Sequence, residues 1–153
     1  MTTTHSAVAA ESAGKPPTKN AHLVAWVEES PQGLDAHGTA MVAQLDGAAR
    51  VVGVPLPIPL ADVGNPTALA LAPDGDGVRA FLARSNHEDV TLDGVMLRAD
   101  GSAATPAWRL LDLDAPGSFD VALAVSGDAI FFDDIGATAA AHRVRRAAIT
   151  WRH

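Results

Sequence analysis

The stretch "TALALAPDGDGVRAFLARSN", residues 67–86, decides the fold. Its first half alternates Leu with small residues. Its second half runs through Val78, Ala80, Phe81 and Leu82. Between them stands Asp74-Gly75-Asp76-Gly77. Glycines take positive φ without steric cost, and an Asp side chain caps a turn, so this tetrapeptide predicts a tight hairpin. The rival is a calcium loop of the D-x-[DN]-x-[DN]-G kind, which needs oxygen ligands at alternate positions and a later acid. Here the fifth position is Val78 and the sixth is Arg79. Half the ligands are missing and a cation points at the site, so a turn without a metal is expected.

The same pattern recurs. "PTALALAPDGDGVRAFLAR" parallels "FDVALAVSGDAIFFDD", with Leu69 matched to Leu123 and Leu71 to Val125. "HLVAWVEES" joins this series, which sets Trp26, Phe81 and Phe131 in register at spacings of 55 and 50. A further series is "TAMVAQLDG", "GVMLRADGS" and "RVRRAAITW"; its first two members end in Asp46-Gly47 and Asp100-Gly101. A last series occurs twice, as "ARVVGVPLPI" and "AWRLLDLD". The segments are short, apolar and separated by Gly, Asp, Asn or Pro, which is hairpin chemistry. Prolines 55, 57 and 59 alternate, so one side of that strand carries all three, as an outer edge permits. "GATAAAH", residues 136–142, is the one weak helical candidate.

Four short strands repeating about every 50 residues read as propeller blades. The residues also resemble a family. "LAPDGDGVRAFLARSN…GVMLRADGSAATPAWRLLDLD" is similar to the blade repeat of TolB-like bacterial propellers: a Pro-Asp-Gly turn, an apolar-aromatic strand, a strand ending in Asp-Gly and an outer strand carrying Arg-Leu. The resemblance covers 66–114 best, then 21–60 and 118–151. In the third repeat "VSGD" replaces "APDG". The motif implies a fold, not an activity.

The expected architecture is therefore all-β, with three antiparallel blade-like repeats at about 21–60, 66–114 and 118–153 and an N-terminal segment at 1–20. A two-sheet sandwich is the alternative. With strands lettered A to D from the axis outward, the middle repeat is complete at 66–73, 77–85, 93–99 and 106–113. The first has B, C and D at 21–29, 38–45 and 49–57, and its A strand must come from "HSAVAAES". The third has A, B and C at 119–126, 128–134 and 143–151, and no D. Closed propellers usually need four to eight blades, so three leave two open flanks. A second copy, another partner or a sandwich would cover them. Blade-to-blade contact is head-to-tail, so a ring-closing dimer needs a heterologous contact that closes by rotation about the propeller axis.

Composition agrees with one globular domain. The chain has 153 residues, 48% of them hydrophobic and 19% charged. Folding at this length buries roughly two-thirds of the unfolded chain's surface. Aromatics make up only 5%, so Val, Leu, Ile and Ala must build the core. There is no Cys, which excludes disulfides, a thiol nucleophile and a thiolate metal site. No charged and apolar leader opens the chain and no run suits a membrane span, so a cytoplasmic protein without membrane partners is expected. The net charge of −7 argues against nucleic acid. It is unevenly placed: residues 1–141 sum to 7 − 18 = −11, and 142–153 to +4. Arg143, Arg145 and Arg146, with Trp151, are candidate interface residues for an acidic surface, a second copy included. A solvated edge strand guarded by arginines explains the same charges.

Candidate ligand-binding residues lie in or beside the B–C connections: His37, His87 and His142, with Asp35, Glu88 and Asp89 nearby. Imidazole and carboxylate could hold zinc or nickel. Equivalent loops of adjacent blades stand too far apart for one ion, so solvated histidines are the simpler reading, and no cofactor is expected. Asp133 and Asp134 are strand neighbours pointing to opposite faces, hence no catalytic dyad. Trp26 is expected in the core with Phe81 and Phe131, and Trp108 and Trp151 at blade interfaces. No G-x-S-x-G, Walker or H-E-x-x-H pattern occurs. A non-catalytic binding or assembly module is thus the expectation. A funnel enzyme, with Asp120 as its acid where the middle repeat has Thr67, and a lectin with an exposed aromatic in each repeat are the alternatives.

Overall fold

The described residues form three antiparallel sheets, rather than the two of a sandwich. The computed structural model describes residues 6–7, 22–29, 38–85, 90–113, 123–126, 128–135 and 142–149. Sheet one runs β1 (Ser6–Ala7), β2 (His22–Glu29), β3 (Gly38–Leu45) and β4 (Val51–Pro57). Sheet two runs β5 (Asn65–Asp74), β6 (Gly77–Ser85), β7 (Val90–Arg98) and β8 (Trp108–Leu113). Sheet three holds β9 (Leu123–Ser126), β10 (Ala129–Ile135) and β11 (His142–Ala148). Strands are spatially ordered as in the chain, so every sheet is a meander.

The first strand of sheet one, Ser6–Ala7, lies within "HSAVAAES". Ser6 and Ala7 pair with Trp26 and Ala25. Pro55 and Pro57 lie on the edge strand β4, where a missing N–H costs no ladder bond. Residues 136–141, the weak helical candidate apart from His142, lie outside the described residues, and His142 itself opens a strand.

Local chemistry sets the turns. β5 and β6 are joined by Gly75 and Asp76 alone. Gly75 has φ +57° and Asp76 is not positive, the type II′ pattern suited to twisted hairpins. The Asp74 carboxylate accepts from Arg79 Nε at 2.9 Å, so the supposed calcium ligand serves an ion pair. The two Asp-Gly strand ends are also turns. Asp46 Oδ1 accepts from the amides of Ala48 and Arg50 at 2.8 and 3.0 Å, and Asp100 Oδ1 from the Ser102 amide and hydroxyl at 2.9 and 2.7 Å. These hydrogen bonds hold both carboxyls below the usual range, the Arg50 amide leading at Asp46 and the Ser102 hydroxyl at Asp100.

Sheet two is the centre. Strand alternation sends Val78, Ala80 and Leu82 to one face and Phe81 and Ala83 to the other. The first set joins Leu23, Ala25, Val27, Ala40 and Val42 of sheet one in one apolar core. The second joins Ile130 and Phe132 of sheet three in another. β5 lies against β2 and β3 on one side and β9 on the other. Arg79 adds a polar tie, reaching Asp128, which precedes β10, at 3.7 Å.

Trp26 is not where the 55-residue register put it. Leu23 pairs with Gln44 as Gly77 pairs with Arg98, and Asp46 matches Asp100, so sheets one and two are offset by 54. An odd slip of one residue moves a side chain to the opposite face. Val27 is therefore the counterpart of Phe81 and lies in the core facing sheet two. Trp26 is the counterpart of Ala80 and lies half-buried on the face turned away from sheet two, its indole N–H donating to Glu28 Oε1 at 3.0 Å. Phe131 is likewise half-buried on the face of sheet three opposite the Ile130 and Phe132 core, so neither aromatic belongs to the inter-sheet core that holds Phe81.

Candidate functional site

The B–C ends of sheets one and two meet. The Gly38 amide, opening β3, donates to Asn65 Oδ1 at 3.2 Å, and Asn65 pairs with Ser85 at the end of β6. Of the six residues proposed for this rim, His37, His87, Asp35, Glu88 and Asp89 lie outside the described residues. His142 is the first residue of β11, paired with Ile135.

Just inside that end of sheet two lies a charged group in an apolar setting. Arg84 and Asp93 are 1% and 0% exposed. They sit on the sheet-one face of β6 and β7, beside Thr91, the ladder partner of Arg84. Arg84 Nε donates to Asp93 Oδ2 at 3.0 Å, and Arg84 Nη1 to the Val63 carbonyl at 2.7 Å. The Ala61 amide donates to the same Asp93 oxygen at 3.0 Å. The pair thus clamps residues 61–63, which lead from β4 into β5. Gly64 completes the close fit: its φ is +154°, and a Cβ there would stand 2.7 Å from Arg84 Cγ.

Three buried atoms of this cluster, Arg84 Nη2, Thr91 Oγ1 and Asp93 Oδ1, have no hydrogen-bond partner among the described groups. They offer donors, an acceptor and a hydroxyl. Buried groups of this kind are commonly met by ordered water. The arrangement is that of a strut: the carboxylate is engaged by a guanidinium and a backbone amide. No signal other than a lone acid inside the apolar run "VTLDGVML" marks Asp93 in the sequence.

The other notable surfaces are the outward faces of the two end sheets. Sheet one presents Val24, Trp26, Glu28 and Met41. Sheet three presents Phe131, its ladder partner Arg146, and Val144, which is 76% exposed. Of the expected interface residues, Arg145 and Arg146 are exposed on β11, an edge strand, and Trp151 lies outside the described residues. The side chain of Arg143 is not among those described, though its backbone pairs with Asp134. Trp108 is half-buried at the start of β8.

Among the described residues no group of three His, Asp or Glu side chains could hold a metal ion. No helix among them is long and apolar enough to cross a membrane. No protein family, curated protein or solved structure matches the chain.

Proposed function

We propose that this protein is a non-catalytic assembly module whose three sheets are propeller-type blades and whose ring is completed by self-association. One observation carries the reading. The offset of 54 makes Val24, Trp26 and Met41 of sheet one the counterparts of Val78, Ala80 and Val95 of sheet two. In sheet two these positions are 3%, 0% and 0% exposed because sheet one covers them. In sheet one they are only half-buried, and no sheet among the described residues lies over them. Apolar residues placed on a sheet face at core positions favour a partner sheet over water.

The resemblance to TolB-like repeats supports the same reading, as does the meander of each sheet. Rings built from such sheets present loop-rich faces suited to binding a protein or small ligand. The test is the mass in solution by light scattering at micromolar protein. The expected result is a dimer of two 15.7 kDa chains. A monomer overturns the proposal.

A further inference from the structure

Arg84, Thr91 and Asp93 each keep one buried polar atom without a partner among the described groups. We infer that these atoms form a binding site for a single water molecule, which bridges Arg84 Nη2, Thr91 Oγ1 and Asp93 Oδ1. This goes beyond the assembly reading and does not depend on it.

The guanidinium marks the place. Nε and Nη2 share one edge of that group, and the N–H bonds along the edge point the same way, so a carboxylate commonly accepts from both. Here Nε reaches Asp93 Oδ2 at 3.0 Å, while Nη2 and Asp93 Oδ1 do not meet. One prong of the fork is joined and the other is open. The Ala61 amide accounts for the asymmetry. It also donates to Oδ2, at 3.0 Å, and holds the carboxylate by that oxygen. Thr91 stands at the same spot. It is the ladder partner of Arg84 and precedes Asp93 by two residues, so all three side chains share one face of β6 and β7. Residues directly opposite in a ladder have Cβ atoms about 5 Å apart, which sets the Thr91 hydroxyl beside the ion pair.

The chemistry of the three atoms selects the occupant. Guanidinium and carboxylate offset each other, so the site is neutral. An anion would be repelled by Asp93 Oδ1, and a cation by Arg84. The open groups are a donor, an acceptor and a hydroxyl that can be either. Water answers all of them: it accepts from Nη2, donates to Oδ1 and takes either role toward Oγ1. About three hydrogen bonds is the usual number for a buried water. The packing favours a small occupant, because a Cβ on Gly64 would already stand 2.7 and 2.9 Å from Arg84 Cγ and Cδ. The bridge would join Thr91 to the clamp that holds residues 61–63.

Thr91→Val tests this by the sign of its effect. Val copies the shape of Thr and deletes the hydroxyl. With water in place, the bridge loses one partner, and the urea midpoint should fall by about 0.5 M. A hydroxyl that is buried and unmet instead costs the native state, so its removal would raise the midpoint. A rise, or no change, at the same protein concentration overturns the inference. A crystal structure of the unsubstituted chain gives a second reading. One ordered water within hydrogen-bonding distance of all three atoms is the expected result. A closed fork with Nη2 directly on Oδ1, a dry cluster or a water that misses Thr91 overturns it. Neither measurement reads the oligomeric state, so this inference and the assembly reading fail separately.

Discussion

Sheet two and sheet three are built from similar strands but live in different surroundings. Sheet two has a neighbour on each face, and Phe81 and Leu82, on opposite faces, are 1% and 0% exposed. Among the described residues, sheet three has a neighbour on one face. Ile130 is 0% exposed while Val144, on the other side, is 76% exposed. The difference shows that the strand pattern alone does not make a position part of the core. A second sheet must arrive to cover it.

The sharpest way to break that comparison is at the clamp of the central sheet. Asp93→Ala leaves Arg84 buried and uncompensated, so about 3–5 kcal/mol of unfolding free energy should be lost. Urea denaturation measures it, and a loss below about 1 kcal/mol would mean that the site is wetter than its burial implies.

Next come the two faces themselves. Leu82→Ala should cost about 2–5 kcal/mol at any protein concentration, because its core lies within one chain. Phe131→Ala should cost less than about 1.5 kcal/mol in dilute protein, since half of its burial is already absent there. Its larger effect should emerge as a lower association constant. Equal, concentration-independent losses would erase the distinction between central and end sheets.

Gly64→Ala should cost about 1–3 kcal/mol, since φ is +154° and the added carbon would meet Arg84. Thermal unfolding would register it. The neighbouring turn glycine, Gly75, has open space around it and φ +57°, so Gly75→Asn should be the milder change.

The smallest effect is that of pH on the exposed Asp-Gly turns. Asp46 and Asp100 have lowered folded pKa values. Their contribution is therefore complete above the unfolded carboxyl pKa and is lost as pH falls through the folded value. Stability against urea should decline on acidification below about pH 4. Asp46→Asn with Asp100→Asn should flatten that decline slightly, and an unchanged profile would show that other carboxylates dominate it.

Much of this was legible in the chain because hairpins are local. Asp74-Gly75-Asp76-Gly77 encodes its own turn, and the alternation of Leu with Ala at 67–72 needs no distant information. Most expected strand ends lie within a residue or two of those observed; β7 begins three residues early, at Val90. Face was harder. Aligning Trp26 on Phe81 by aromatic identity gave a plausible spacing, yet one residue of error turned an outward side chain into an inward one. The Asp46 and Asp100 turns carried the correct offset, because a turn marks backbone position whereas an aromatic only marks preference.

The amino-acid sequence by itself determined the described strands and their turns, since each depends on residues a few positions apart. Only the tertiary structure decided which face of each described strand is covered and why Arg84 and Asp93 tolerate burial. Those outcomes depend on contacts between segments distant in sequence, such as Ala61 with Asp93 and Gly38 with Asn65, and the pattern within any one strand does not specify its neighbour.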